Sequence, residues 1–185
     1  MKIFFVRHGE AKEDGGKSPL TERGVLEAKA VAKELQKYSF SKVYSSNSER
    51  AKNTAKEYLN LNKGIEYLET EKLKEIYRVL IGGPEKEGTS KERAEENKKR
   101  ADEIWGFFLK EKNNILVFSH GNIIRYFLNK VLKKDEDLWK NLQIDSGSIS
   151  ILEITGKNVK INKINLINHL PKEELKGSIE KIYIE

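Results

Sequence analysis

Two places in this chain carry residues that could move a phosphoryl group. Arg7-His8-Gly9-Glu10 directly follows the apolar run Ile3-Phe4-Phe5-Val6, and Ser119-His120-Gly121 directly follows Leu116-Val117-Phe118. A neutral imidazole can accept a phosphoryl group on nitrogen, and a guanidinium offers a planar fork of donors that matches two phosphate oxygens. His8 beside Arg7 therefore suits nucleophilic attack on phosphorus. Read alone, the tripeptide is equally a strand that ends in polar residues. His120 gives it a partner if the two strands are neighbours, because their carboxyl ends then lie side by side. Gly9 and Gly121 would let backbone amides approach a phosphate, and the start of the helix after Gly121 would favour an anion. Arg50 follows Ser45-Ser46-Asn47-Ser48 and could reach over the same rim as a second fork. On its own it reads as a solvated helix-terminal arginine.

The elements that must position these side chains are legible from periodicity. Residues 2–7 predict a strand buried on both faces, and 11–19 a loop. Thr21 caps a helix that presents Val25, Ala28, Val31, Ala32 and Leu35 and ends near Tyr38. A strand over 42–45, a helix over 49–59 and a strand over 65–68 follow. Residues 70–93, with Gly82-Gly83-Pro84, lack a period and read as a long excursion suited to substrate selection. A helix over 91–110 presents Ala94, Ala101, Ile104, Trp105 and Phe108, and then come a strand over 115–119, a helix over 123–132 and a short helix near 136–142. Segments 148–154 and 158–166 alternate around Thr155-Gly156-Lys157 as an antiparallel hairpin. Alternating strands and helices followed by a hairpin predict a three-layer α/β/α sandwich with a mixed, mostly parallel sheet. The site is then expected outside the carboxyl ends of the parallel strands.

The 185 residues suit a single domain, 1–185, of 37% hydrophobic and 35% charged composition. The net charge of +6 comes from 35 basic and 29 acidic residues that are interspersed. There is no basic stripe with interleaved aromatics, so nucleic acid is not the expected partner. No apolar stretch approaches a membrane span, and the chain enters a strand without a secretory leader, so the expected place is the cytoplasm. Zero cysteines exclude disulfides and thiolate nucleophiles or metal ligands.

Together, Arg7-His8-Gly9, Leu20-Thr21 with Gly24, Ser45-Ser46 with Arg50-Ala51 and Thr54-Ala55, and Ser119-His120-Gly121 resemble the signature of the histidine phosphatase superfamily, also called the phosphoglycerate mutase-like family. The resemblance implies that fold. It further implies that His8 is the transiently phosphorylated nucleophile and that Arg7, Arg50 and His120 surround the transferred group, with no cofactor or metal. Leu73-Lys74-Glu75 is similar to the family's Leu-x-Glu pattern, which makes Glu75 the candidate proton donor, with Glu71, Glu69 and Glu10 as fallbacks. A glutamate in that role needs a raised pKa. Asn122, next to Gly121, either touches phosphate or caps the following helix.

The branch of the family is less constrained. Asp14 stands near the place where mutases of the family usually carry Asn, and the loop to Leu20 is short, which favours hydrolysis over mutase chemistry. Residues 119–126, Ser146-Gly147-Ser148-Ile149 and Leu170-Pro171 resemble the family's phosphoserine and phosphothreonine protein phosphatases. Asn165-Leu166-Ile167-Asn168-His169-Leu170 resembles the ending of its small-molecule phosphatases. The substrate is thus a small phosphorylated metabolite or a phosphoprotein. The alternatives are a phosphoglycerate mutase or other phosphotransferase, and a catalytically weak phospho-ligand or protein-binding module. His169 is read as a loop histidine outside the chemistry. Trp105, Phe107, Phe108 and Trp139 are read as core. The oligomeric state is not legible.

Overall fold

The computed structural model describes residues 1–12, 18–76, 90–132 and 142–171. Strands β1 (Lys2–Arg7), β2 (Lys42–Ser46), β3 (Glu66–Thr70), β4 (Ile115–Ser119), β5 (Ile149–Thr155) and β6 (Asn158–Leu166) form one sheet in the order β3-β2-β4-β1-β5-β6. The first four run parallel, whereas β5 pairs antiparallel with β1 and β6 antiparallel with β5. Helices α1 (Glu22–Leu35), α2 (Glu49–Leu61), α3 (Lys91–Phe108) and α4 (Gly121–Leu132) cover the two faces.

The uninterrupted apolar run of β1 follows from this layering. Ile3 and Phe5 face α3 and α4, whereas Phe4 and Val6 face α1 and α2. Strand β4 divides in the same way, Ile115 and Val117 on one side, Leu116 and Phe118 on the other. A central strand with helices on both faces has no polar side to show, so its sequence does not alternate.

Thr21 caps α1 by accepting from the Gly24 amide at 3.0 Å. Helix α1 ends at Leu35 rather than near Tyr38, and it buries Gly24 and Glu27 in addition to the expected apolar stripe. On α3, Ala94, Ala101, Ile104, Trp105 and Phe108 are all buried, and Trp105 stacks on Phe127 with centroids 5.4 Å apart. Phe107 is the exception to the expected aromatic core at 56% exposure, because it lies on the solvent side of α3. The excursion begins as a 3-10 turn, Glu71–Leu73, with Leu73 and Ile76 buried in the α3–α4 core. The helix expected near 136–142 falls almost wholly outside the described residues, as do Trp139 and Asp14.

Two glycines set the distance between β1 and α1. A Cβ on Gly9 would lie 2.4 Å from the Gly24 carbonyl oxygen, and a Cβ on Gly24 would lie 1.9 Å from the Glu10 carbonyl oxygen. Neither neighbour is a side chain that can swing away. Gly24→Ala is therefore expected to lower the unfolding free energy by about 3 kcal/mol. Gly106→Ala, whose Cβ meets nothing within 4 Å, is expected to raise it by about 0.5–1 kcal/mol. Urea denaturation of both variants checks the pair.

Candidate active site

The register of β1 with β4 sets Arg7 against Ser119. The next residue of each strand is therefore a histidine, and the His8 amide donates to the Ser119 carbonyl at 2.9 Å. The two imidazoles meet edge to face with centroids 5.1 Å apart. Both are buried, His8 at 8% exposure and His120 at 0%.

Arg50 opens α2 and reaches back over these strand ends. Its Nε–H lies 2.9 Å from His8 Nε2 and 3.2 Å from His120 Nδ1. One hydrogen shared between two ring nitrogens requires both to be unprotonated acceptors, which assigns the tautomers. His8 then carries its proton on Nδ1 and donates to the Gly9 carbonyl at 2.7 Å. His120 carries its proton on Nε2 and donates to Ser46 Oγ at 3.0 Å. Ser46 Oγ also accepts from the Ser48 amide at 3.2 Å and lies 3.2 Å from Ser48 Oγ, to which its hydroxyl donates.

Burial is the main reason that both rings stay neutral. It brings His8 down from 6.5 to about 3, against the bond to Gly9 and with help from Arg50 and Arg7. His120 is held well below its ordinary value, first by burial and then by the neighbouring charges. The Nε2 lone pair of His8 is thus available as a nucleophile at any moderate pH. Burial also lowers the pKa of Arg50.

Arg7 is fixed from the other side. Its Nη1 donates to the Ile144 carbonyl at 2.6 Å, and its Nε is buried without a hydrogen-bond partner among the described residues. The turn beneath it is tied to β1, since the Gly147 amide donates to the carbonyls of Arg7 and His8 at 3.1 and 3.3 Å. Gly147 adopts φ 67°, and its carbonyl accepts from His169 Nε2 at 2.9 Å. Asn165, at φ 52°, holds the same turn through its Oδ1, which accepts from the Asp145 amide at 2.7 Å. His169 therefore supports the turn beneath Arg7, in a partly buried position.

Glu75 meets the site from the start of the excursion, as the Leu73-Lys74-Glu75 pattern expects. Its Oε1 accepts from the amides of Ile123 and Ile76 at 3.0 and 3.1 Å, and its Oε2 from the amide of Asn122 at 3.2 Å. The carboxylate thus occupies the N-terminus of α4, where an anionic ligand was expected. Burial raises its pKa, while these three amides and Arg7 pull in the opposite direction. The fallback carboxylates lie elsewhere. Glu71 and Glu69 pair with Lys74 and Lys52 on the surface, and Glu10 accepts from Thr21 Oγ1 at 2.8 Å.

Gly9, Asn122 and Gly121, the remaining expected phosphate contacts, lie at the same strand ends and make contacts within the fold. The Gly9 amide donates to Thr54 Oγ1 at 3.0 Å, and the close approach to Gly24 requires glycine there. Asn122 gives its amide to Glu75 and its side-chain NH2 to the Ile76 carbonyl, and its Oδ1 accepts from Arg125. A Cβ on Gly121 would meet Arg125 Nη1 at 3.4 Å and Arg7 Nε at 3.5 Å, both ordinary van der Waals contacts.

Sequence reasoning missed Glu27, which is 2% exposed on α1 and accepts from the Glu10 amide at 2.8 Å and from Arg23 Nε at 3.1 Å. A carboxylate one turn into an amphipathic helix gives no signal of that kind. Among the described residues no group of three or more His, Asp or Glu side chains is gathered as metal ligands, and no helix is long and apolar enough to cross a membrane.

A cavity of about 570 Å³ opens beside Arg50 and is lined by Ser48, Lys52 and Lys74 among others. Its charged lining is Arg50, Lys52, Lys74 and the carboxylate Glu49, a net positive charge that suits an anionic ligand.

The pattern of the histidine phosphatase superfamily (branch 1) matches residues 3–107 and 82–167. The mitochondrial serine/threonine-protein phosphatase Pgam5 of Drosophila mojavensis is 30% identical over 97% of this chain and 68% of its own length. Among solved structures, the phosphoserine phosphatase of Entamoeba histolytica superposes with a TM-score of 0.74 at 22% identity, covering 92% of this chain and 99% of that one. The α-ribazole phosphatase of Shigella flexneri gives 0.71 at 20% identity, covering 90% and 96%.

Two consequences of the neutral, buried His8 are measurable. Its ring 15N shifts are expected to report the Nδ1–H tautomer without titration from pH 8 to 4, whereas a free imidazole changes near 6.5. The unfolded chain binds that proton below about pH 6.5 and the folded chain only near 3. His8 therefore makes stability fall as pH drops through that window. A His8→Asn variant should show a shallower fall in chemical denaturation across the same range.

Proposed function

The chain belongs to the histidine phosphatase superfamily, and on that premise we propose that it is a phosphomonoesterase working through a phosphohistidine on His8. The observation that carries this reading is the His8 Nε2 lone pair, kept unprotonated and aimed at Arg50 beside His120. In the free protein Arg50 Nε–H rests on that lone pair. An entering phosphate draws the guanidinium onto its own oxygens and so exposes the nucleophile. The same dianion opposes the burial and the cations that hold His120 deprotonated, and His120 takes a proton from solvent on Nδ1 to become a donor toward phosphate. Arg7 and Arg50 then face the equatorial oxygens, where phosphoryl transfer concentrates charge.

In the first step the His8 Nε2–P bond forms as the ester O–P bond breaks. Glu75 gives its proton to the leaving alkoxide, and the Gly9 carbonyl supports the positive ring through Nδ1–H. Oε2 is the acid oxygen, since it accepts one amide where Oε1 accepts two. In the second step water attacks phosphorus, the electron pair of the N–P bond returns to Nε2, and Glu75 takes the water proton. The cycle uses protein side chains and water alone.

The substrate class that fits is an alkyl phosphomonoester of the phosphoserine kind, free or within a protein. The similarity to Pgam5 supports it, as do residues 119–126 and the net positive cavity beside Arg50. We assign selection among such substrates to the loop after Ala11 and to the 70–93 excursion.

His8→Ala is expected to lower kcat on phosphoserine by about 1,000-fold or more, as for loss of a covalent nucleophile. Rapid quenching of the wild type should trap acid-labile, base-stable phosphate on His8. Full activity of His8→Ala, or no trapped phosphate, overturns the mechanism. Interconversion of 2- and 3-phosphoglycerate faster than phosphate release would make the protein a mutase. Tight phosphopeptide binding without turnover would make it a receptor.

The raised pKa of Glu75 also has a kinetic signature, because the acid must be protonated. Activity on phosphoserine should fall as pH rises through that pKa. On p-nitrophenyl phosphate, whose leaving group needs no proton, the fall should be absent. Glu75→Gln should remove the limb for phosphoserine, and kinetics across pH with both substrates check this.

A further inference from the structure

The segment that carries Glu75 belongs to no sheet and to no long helix. After β3 the chain makes one 3-10 turn over Glu71–Leu73 and then runs to Ile76. Such a segment leaves its carbonyls to be satisfied by something else. Arg100, on the facing side of α3, satisfies most of them. Its Nη1 donates to the carbonyls of Glu71, Lys72 and Lys74 at 2.9, 3.1 and 2.9 Å. Its Nη2 donates to the carbonyl of Glu75 at 3.1 Å. The remaining carbonyl, that of Leu73, accepts from Ser119 Oγ at 2.7 Å, from the residue that precedes His120. Every carbonyl from 71 to 75 is thereby held, four of them by one guanidinium.

Arg100 is itself oriented. Its Nη2 also donates to Asn97 Oδ1 at 2.5 Å, and Asn97 is turned that way because its NH2 donates to the Arg93 carbonyl at 2.7 Å. Asn97 is buried, unusually for an amide on a helix with this much charge. Arg100 and Asn97 line a cavity of about 330 Å³ together with Glu75 and Lys74. A planar fork is the one side chain that can serve carbonyls on two nitrogens at once, and a lysine ammonium lacks that span.

We propose that Arg100 is the positioning residue of the proton donor: it fixes the backbone of 71–75 so that the Glu75 carboxyl meets the leaving oxygen. This rests on the reading of Glu75 as the acid in a phosphohistidine cycle. Arg100 acts through Glu75 and not on phosphate, so in kcat/KM, which ends at formation of the phosphohistidine, its loss should be felt only where a proton must be delivered. General acid catalysis contributes about 100-fold or more when the leaving group is a poor one.

The test measures kcat/KM of Arg100→Ala and Arg100→Lys on phosphoserine and on p-nitrophenyl phosphate. The expected loss is about 30-fold or more on phosphoserine and less than about threefold on p-nitrophenyl phosphate, with lysine failing to rescue. Adding Glu75→Gln to Arg100→Ala should cost little more on phosphoserine, because both act in one step. Asn97→Ala, a milder change in the same chain of bonds, should show a smaller loss with the same substrate bias, and it covers the case in which the Arg100 variants do not fold. Equal losses on both substrates, full rescue by lysine, or additive losses with Glu75→Gln overturn the proposal. If His8→Ala remained active in these assays, the phosphohistidine reading would fail instead.

Discussion

Parallel pairing of β1 with β4, with Arg7 set against Ser119, is the constraint from which the site follows. It places two histidines far apart in sequence, His8 and His120, one residue beyond a common edge. The side-chain period of a strand is two, so a slip of one residue would turn Phe5 and Val117 toward the wrong helices and carry one imidazole away from the other. Four apolar residues of β1, divided between two cores, resist that slip. The hydrophobic interior thus does more than hold the domain together, since it fixes the alignment of the reacting groups.

The site gathers positive charge at the strand ends. Arg7 and Arg50 bring two guanidinium groups to neutral imidazoles, and the buried Glu75 carboxyl beside them has a raised pKa. Burial keeps the rings from adding to the positive charge. A phosphate dianion is the natural complement. Preorganised donors of this kind need little rearrangement when charge develops on the transferring group, which is the usual source of electrostatic catalysis. The one rearrangement required is local, the release of His8 by Arg50.

Much of this was legible in the sequence because strands and chemistry coincide. A doubly buried strand announces itself as an unbroken apolar run, and the polar residues that end it must lie at the sheet's rim. His8, Arg7 and His120 could be placed in that way, and Arg50 by its position at a helix start. What was not legible depends on contacts between segments far apart in sequence. Gly9 looks like a phosphate-approach residue, and its contact with the Gly24 backbone is not visible in the sequence. Asn122 looks equally like a ligand or a cap, and only the fold shows Glu75 taking its amide. Glu27 and Ile144 carry no local signal, because one takes the Glu10 amide and the other offers its carbonyl to Arg7, and the Asn165–Leu170 resemblance does not show that Asn165 takes the Asp145 amide. Arg100 is one of many charged residues on α3, and nothing in its neighbours marks the four carbonyls it serves.

The loop between β1 and α1 is stitched shut at its base. Ala11 bridges Leu20, the Lys12 amide donates to the Pro19 carbonyl at 3.1 Å, and the Thr21 amide to the Glu10 carbonyl at 3.0 Å. The two glycine contacts lock the strand end to the helix beneath it. Whatever runs between residues 12 and 18 is inserted between ends that are already joined. Between ends joined in this way, length and composition can change, by evolution or by grafting, without disturbing His8 a few residues away. The frame that holds Arg7 and His8 is thus mechanically uncoupled from what is inserted there, which gives one scaffold the freedom to vary at that point.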